Sequence, residues 1–239
     1  MERLQKVIAN FGYTSRRKAE ELIRKGKVMV NGEKVSELGT KVNPSDIISI
    51  DGIVINKDVI HEYYLLNKPR SVVSAVTDDH DRITVTDLIN TEARIYPIGR
   101  LDYDTTGIIL LTNDGDFANI LMHPKNQIDK VYLVKTHGIL SKEELASLRN
   151  GVFVNGIKTS KAKVRIKQYN KSSNLSLVEI TIHEGKNHQV KNMFAAINHD
   201  VVKLKREKIG FFDLNGLKTG EYRRLTIKEV KKVYALSHE

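Results

Sequence analysis

The stretch PIGRLDYDTTGIILLTNDG, residues 97–115, places Asp102, Asp104 and Asp114 around a short apolar run. Three chemistries use aspartates in this way: a calcium loop, a phosphoryl-accepting carboxylate, or one carboxylate working as nucleophile or base. Asp102, Asp104, Thr106 and Gly107 match positions 1, 3, 5 and 6 of an EF-hand loop. The bidentate Glu required at position 12 is instead Asn113, and IILLT reads as a strand, so the calcium loop is rejected. Asp102-Tyr-Asp104-Thr-Thr106 also fits the D-x-D-x-T pattern of haloacid-dehalogenase-type phosphatases. That motif should close an apolar strand, whereas here the apolar run follows the aspartates. A zinc-protease helix fails as well, because His183 and His188 are five residues apart rather than four. His183 is read as a structural residue at a strand end. A single working carboxylate remains, with the phosphatase as alternative.

These residues need elements to hold them. LQKVIANFG spaces Leu4, Val7, Ile8 and Phe11 as a helix ending before Gly12. Ser15 is an N-cap for RRKAEELIRKGK, with Ala19, Leu22 and Ile23 facing inward and Gly26 stopping the helix. Asn31-Gly32 and Asp51-Gly52 are two-residue hairpin signals. Two short helices on a small sheet are expected over residues 1–60, followed by a linker, NKDVIHE, at 56–62. Residues 61–239 are expected to form a second domain. YYLLNKP, IILLT and KVYLVKT have strand length, and Ser141-x-x-Glu144 is a capping box for a helix ending at Gly151. Ala162, Val164 and Ile166 alternate, as do Val178, Ile180 and Ile182, and KSSN between them predicts a hairpin. Val190, Met193, Phe194 and Ile197 give QVKNMFAAIN a helical stripe. The fold class is α+β, with a mixed, largely antiparallel sheet in the second domain.

Charge narrows the partner. The chain of 239 residues carries 39 basic and 29 acidic side chains, a net +10, which favours a polyanion. Residues 1–34 alone hold nine basic and four acidic residues. Arg16, Arg17 and Lys18 crowd the first helical turn, where the macrodipole disfavours cations, and this conflict points to phosphate contact rather than an idle solvated face. With no Trp, a stacking-rich single-strand platform is disfavoured. Without cysteine there is no disulfide, thiolate metal site or Cys nucleophile, which suits a reducing cytoplasm. No apolar stretch approaches bilayer length and no secretory leader is seen, so a cytoplasmic protein without membrane association is expected.

The segment TSRRKAEELIRKGKVMVNGEKV resembles the core of the S4 RNA-binding domain, which implies RNA-backbone contact by Arg16, Arg17 and Lys18. GRLDYDTTGIILLTNDG resembles the central motif of the RsuA/RluB-type pseudouridine synthases. YYLLNKPRSVVSAVTDDHDRITVTDLI, KVYLV and EGKNHQVKNMFAAINHDVVKLKREKIG resemble that family's other segments, in the same order. The chain departs from the pattern at Ser71, where Gly is common, and at Asn192, where a second basic residue is usual.

The resemblance implies isomerisation of a specific uridine in ribosomal RNA. The N1–C1′ bond breaks, uracil turns over, and the base rejoins through C5. No atoms are gained, so no metal and no cofactor are implied, and a monomer is expected. Asp102 is the implied catalytic carboxylate, attacking C1′ or taking the C2′ proton. Lys191 is implied as the cation beside it, although spacing alone reads Lys191 equally well as a solvated lysine. Tyr132 would pack on the everted base and Arg100 would hold the everted state. Met193 and Phe194 either line the base pocket or, as their helical spacing favours, pack in the core. His188 and Gln189 are read as loop-orienting residues. Asp104 and Asp114 are read as turn residues, with Asp114-Gly115 closing a hairpin or starting a helix. LMHP at 121–124 resembles the RluB-type members, which modify large-subunit (23S) RNA, more than the RsuA-type members, which modify 16S RNA. The competing class is a non-catalytic S4 protein, which would not need G-R-L-D, K-x-Y and Q-V-K together.

Overall fold

The computed structural model describes residues 1–55 and 59–236, so the expected linker at 56–62 lies partly outside the described residues. The contacts divide the chain into two units. The first holds Met1–Glu62, Thr91–Arg94 and Asn113–Gly115, and the second holds Tyr63–Asn90, Ile95–Thr112 and the chain from Asp116 onward.

In the first unit, β1 (Glu2–Arg3) leads into α1 (Leu4–Asn10), and α2 (Arg16–Arg24) follows a tight turn. The Ser15 hydroxyl accepts from the Lys18 backbone N–H at 3.2 Å, so the predicted cap is in place. β2 (Val28–Val30) and β3 (Glu33–Val35) are joined through Asn31 and Gly32, at φ 52° and 85°. β4 (Lys41–Val42) pairs with β1. β5 (Ile48–Ile50) and β6 (Ile53–Val54) are joined through Asp51 and Gly52, at φ 49° and 81°. Two successive positive φ values match the twist of the flanking strands, which is why these dipeptides close hairpins. The sheet order is β3-β2-β5-β6, and Leu4, Ile8, Ala19, Ile23, Val28 and Ile50 meet at zero exposure beneath the helices.

The second unit opens with β7 (Tyr63–Lys68), β8 (Tyr96–Ile98), β9 (Thr106–Thr112), α3 (Gly115–Met122) and β10 (Lys130–His137). Then come α4 (Lys142–Asn150), capped as predicted by the Ser141/Glu144 box, and the small hairpin β11 (Phe153–Val154) and β12 (Ile157–Lys158). β13 (Lys163–Asn170) and β14 (Leu175–Ile182) form the expected hairpin around KSSN. α5 (Gln189–Ala195), β15 (Val201–Ile209), β16 (Phe212–Asp213), β17 (Tyr222–Arg224) and α6 (Ile227–Ala235) complete the chain. One sheet runs β13-β14-β10-β15-β9-β7-β17, with β16 on β15 and β8 on β9. Every pairing in it is antiparallel except β9 with β15, so the sheet is mixed and largely antiparallel. β9 is buried almost throughout, whereas β10 and β14 alternate buried and half-exposed positions. A continuous apolar run therefore marks a strand covered on both faces, and alternation marks one with a solvent face. Leu65, Ile108, Leu110, Phe117, Phe212 and Val233 centre the core. Among the described residues, no helix is long and apolar enough to cross a membrane.

The parallel junction depends on Gly107. At φ +108° its backbone lies so close to β15 that an added Cβ would stand 2.1 Å from the Arg206 carbonyl oxygen. Both partners are strand backbone and neither can swing aside. Gly107→Ala should therefore destabilise the protein by about 3 kcal/mol or more, from clash and backbone strain together. Thermal unfolding should show a midpoint lowered by roughly 6 °C or more; an unchanged midpoint would contradict the close approach.

Candidate active site

Asp102 lies on the short connection between β8 and β9. Gly99, at φ +73°, turns the chain out of β8, and the Thr105 N–H donates to the Asp102 carbonyl at 3.0 Å to close a turn over Tyr103 and Asp104. The preceding segment pins this loop from below. Ser74 Oγ donates to the Leu101 carbonyl at 2.8 Å and accepts from the Leu101 N–H at 3.1 Å. The Ser71 N–H donates to the Tyr103 carbonyl at 2.8 Å. Ser71 itself has φ 61°, a left-handed conformation that suits Gly better, which explains the turn at this departure from the family pattern.

The strongest restraint is Lys68, the last residue of β7, which is fully buried. Its ammonium donates to the carbonyls of Pro69 (3.1 Å), Asp102 (3.1 Å) and Thr105 (2.9 Å). Three N–H groups meet three acceptors, which satisfies the charged form completely. Burial pulls the Lys68 pKa from 10.5 to about 8, with Asp104 and Asp102 opposing the shift.

The Asp102 side chain meets α5 above the loop. Lys191 Nζ stands 3.0 Å from Asp102 Oδ2 and 2.6 Å from Asp104 Oδ1. Burial pulls the Lys191 pKa down, but its hydrogen bonds to Asp104 and Asp102 outweigh this and leave it raised. The same lysine holds the Asp104 carboxyl below its ordinary value. His188 Nε2 lies 3.5 Å from Asp102 Oδ1, and His188 adopts a left-handed φ of 49° at the start of α5. Such a conformation in a non-glycine residue persists only when its surroundings hold it. Asp102 remains 27% exposed, so a substrate can reach its carboxylate.

Tyr132 faces the same place from β10, where β15 carries an extra residue, Glu207, between the partners of Val131 and Tyr132. Its hydroxyl accepts from Arg206 Nη1 at 3.4 Å, and buried Arg206 also donates through Nε to the Ile108 carbonyl at 2.9 Å. A cleft of about 60 Å³ lies at Asp102, lined also by Arg100, Tyr132, Gln189 and Val190. It shares Arg100, Tyr132, Gly185 and Lys186 with a cavity of about 560 Å³, floored by Leu110, Leu121, Ile128 and Ile209. The loop thus sets the Asp102 carboxylate, paired with an ammonium that it shares with Asp104, beside an aromatic ring and an apolar cavity.

Of the residues singled out in the sequence, Asp102, Lys191, Arg100 and Tyr132 come together here. Met193 and Phe194 are fully buried and line neither cavity; Gln189 and Val190, one turn earlier at the start of α5, line the smaller cleft instead. Arg16, Arg17 and Lys18 are exposed on the first turn of α2 in the other unit. Asp104 sits in the turn as expected but also binds Lys191, and Asp114 immediately precedes α3. Thr106–Thr112 is strand, in line with rejection of the calcium loop.

The RNA pseudouridylate synthase family model matches residues 62–196, and the S4 domain model matches residues 2–48. The chain belongs to the RNA pseudouridylate synthase family. This synthase is 54% identical to the ribosomal large subunit pseudouridine synthase B of Bacillus subtilis, over 99% of this chain and 97% of the relative. It is 35% identical to the dual-specificity RNA pseudouridine synthase RluF of Escherichia coli, over 98% of this chain and 79% of the relative. A crystal structure of a pseudouridylate synthase, 33% identical, matches 98% of this chain and 100% of its own, with a TM-score of 0.70.

Sequence reasoning missed Lys68, Ser74 and Arg206 as parts of the synthase's site. Arg206 had a signal: in VKLKREKI it holds an inward position two residues after Leu204. Lys68 had a fainter one, as a lysine ending a run otherwise buried on both faces. Its lowered pKa gives a test. The folded state holds the proton less tightly than the unfolded chain, so the unfolded state carries more protons between pH 8 and 10.5. The burial penalty is fully present below pH 8 and vanishes above 10.5, so this group's stability contribution rises by roughly 3 kcal/mol across that window. Urea unfolding across this range should show a steeper rise in wild type than in Lys68→Met, where Lys130, its pKa also lowered by burial, still contributes; parallel curves would contradict the assignment.

Proposed function

We propose that this synthase converts a specific uridine of large-subunit (23S) ribosomal RNA to pseudouridine, with Asp102 as the catalytic carboxylate. The observation that carries the catalytic assignment is the Lys191–Asp102 pair, set in an open cleft against Tyr132. The RNA assignment rests on 54% full-length identity to a large-subunit synthase. Residues 1–60 act as the S4-like RNA-binding domain, with Arg16, Arg17 and Lys18 on backbone phosphates, and residues 61–239 as the catalytic domain. The exposed positions of these three side chains support that role.

Chemistry at C1′ or C2′ inside a helix requires the target uridine to leave the stack, which costs a few kcal/mol. Arg100, at the mouth of both cavities, holds the everted state. The Tyr132 ring packs on the base, and the bond from Arg206 to its hydroxyl holds the outer end of that ring in place. Lys191, 3.0 Å from Asp102, offsets the cost of desolvating that carboxylate while RNA excludes water from the cleft. The carboxylate then attacks C1′ or removes the C2′ proton, the glycosidic bond breaks, and the freed uracil turns within the cleft to rejoin through C5; the carboxylate leaves C1′ or returns the C2′ proton, C5 loses its proton and N1 gains one. Met193 and Phe194 support α5 from the core, and the base meets Val190 rather than either of them.

Asp102→Asn keeps the shape but removes nucleophilicity and basicity. Turnover on a 23S RNA fragment should fall roughly 10³-fold or more, with RNA affinity near wild type. Asp104→Asn leaves Lys191 on Asp102 and should lower turnover by less than about tenfold. Pseudouridine mapping of ribosomal RNA from cells with and without the gene identifies the target. Retained turnover in Asp102→Asn, or an unchanged 23S map, would overturn the respective part of this reading.

A further inference from the structure

The sheet of the second unit has a second face that the catalytic cleft does not use. In β10, β14 and β15, Tyr132, Val134, Ile180, Ile182, Leu204 and Arg206 point to the buried side. Residues between them point the other way, because successive strand side chains alternate. Cross-strand register puts Lys163, Thr181, Val131 and Lys208 in one row. The next row is Arg165, Glu179, Leu133 and Lys205, and the third is Gln168, Leu177, Lys135 and Lys203. All twelve positions are half-exposed or exposed. Six of them are cations and one, Glu179, is an anion. From strand and residue spacing, the rows span a patch of roughly 14 by 14 Å.

The charges on this face are poorly compensated. Arg165 pairs with Glu179 at 2.6 Å, Lys163 with Asp129 at 3.4 Å, and Lys205 with Glu207 at 3.4 Å. Among the described residues, Lys135, Lys203 and Lys208 have no carboxylate partner. Lys135 and Lys203 are moreover directly opposite each other across β10 and β15, an arrangement that destabilises a sheet. An external polyanion would remove that repulsion. No aromatic side chain stands among the twelve, so unstacked bases find no platform here. The chemistry suits the phosphates of a helical RNA segment, which is bound through its backbone and shape.

We propose that this basic sheet face is a second RNA-docking surface. It holds the phosphate backbone of an RNA helix on the side of the sheet opposite Asp102. The surface rests on the reading that RNA is the substrate, and it accounts for cations that the cleft leaves unused.

The test uses the full chain carrying Lys135→Gln, Lys203→Gln and Lys208→Gln, and a blunt RNA duplex of arbitrary sequence. If all three lysines contact phosphates, the slope of log K against log salt should flatten by roughly two to three units. Turnover of a minimal target stem-loop should keep its kcat, while KM for a longer fragment with flanking helices rises. An unchanged slope and unchanged KM would overturn the proposal. Lys203→Glu is the control for folding, because it replaces the like-charge pair by an attraction between Lys135 and the introduced carboxylate. This single variant should be as stable as wild type yet bind the duplex more weakly; wild-type duplex affinity would count against the surface. Duplex binding does not require turnover. Failure of the catalytic reading would appear as a wild-type protein that binds the duplex but forms no pseudouridine, and failure of the surface as pseudouridine formation with a salt slope that the triple variant leaves unchanged.

Discussion

The ammonium of Lys68 lies at zero exposure beneath the loop that carries Asp102, and it binds that loop by backbone rather than side chain. Carbonyls of Asp102 and Thr105 at both ends of one turn converge on the same nitrogen, with Pro69 supplying the third acceptor. A neutral amine has two N–H groups and would leave one carbonyl without a donor in a buried place. The loop and the protonation state of Lys68 are therefore coupled. Because the restraint acts on main chain, the Asp102 side chain stays free to face the cleft.

A second lysine works on that side chain. Lys191 comes from a helix whose other face, Met193 and Phe194, is locked in the core, so its position is inherited from packing. It serves two carboxylates at once, Asp102 at 3.0 Å and Asp104 at 2.6 Å. Charge on the loop is thus balanced from above by a half-exposed ammonium and held from below by a buried one. A lone carboxylate in this cleft would face a desolvation penalty; here a cation within hydrogen-bond distance offsets it.

Arg206 links the site to the sheet. It bonds the β9 backbone through Ile108 and steadies the Tyr132 hydroxyl, and its own carbonyl approaches Gly107 so closely that only glycine fits. β9 and β15 pair in parallel at this point alone, and the strands on either side run antiparallel. The strand that positions the aspartate loop and the strand that positions Tyr132 are therefore joined through one guanidinium.

Local chemistry determined much of this protein from sequence. Ser15, the Ser141/Glu144 box, Asn31-Gly32 and Asp51-Gly52 act within a few residues, so their caps and turns formed as read. Apolar run length placed β10, period-two and period-3.6 patterns placed β14 and α5, and the family resemblance of GRLD and QVK implied the Asp102–Lys191 pair. The Val190, Met193 and Phe194 stripe was legible as apolar spacing, but which end of α5 meets the cleft was not. Only the tertiary structure decided that Val190 and Gln189 line it. It also decided that Lys68 lies under Asp102, 34 residues away, and that Lys135 opposes Lys203. Both depend on strand order and register, which arise when distant segments share one sheet and which no local propensity encodes.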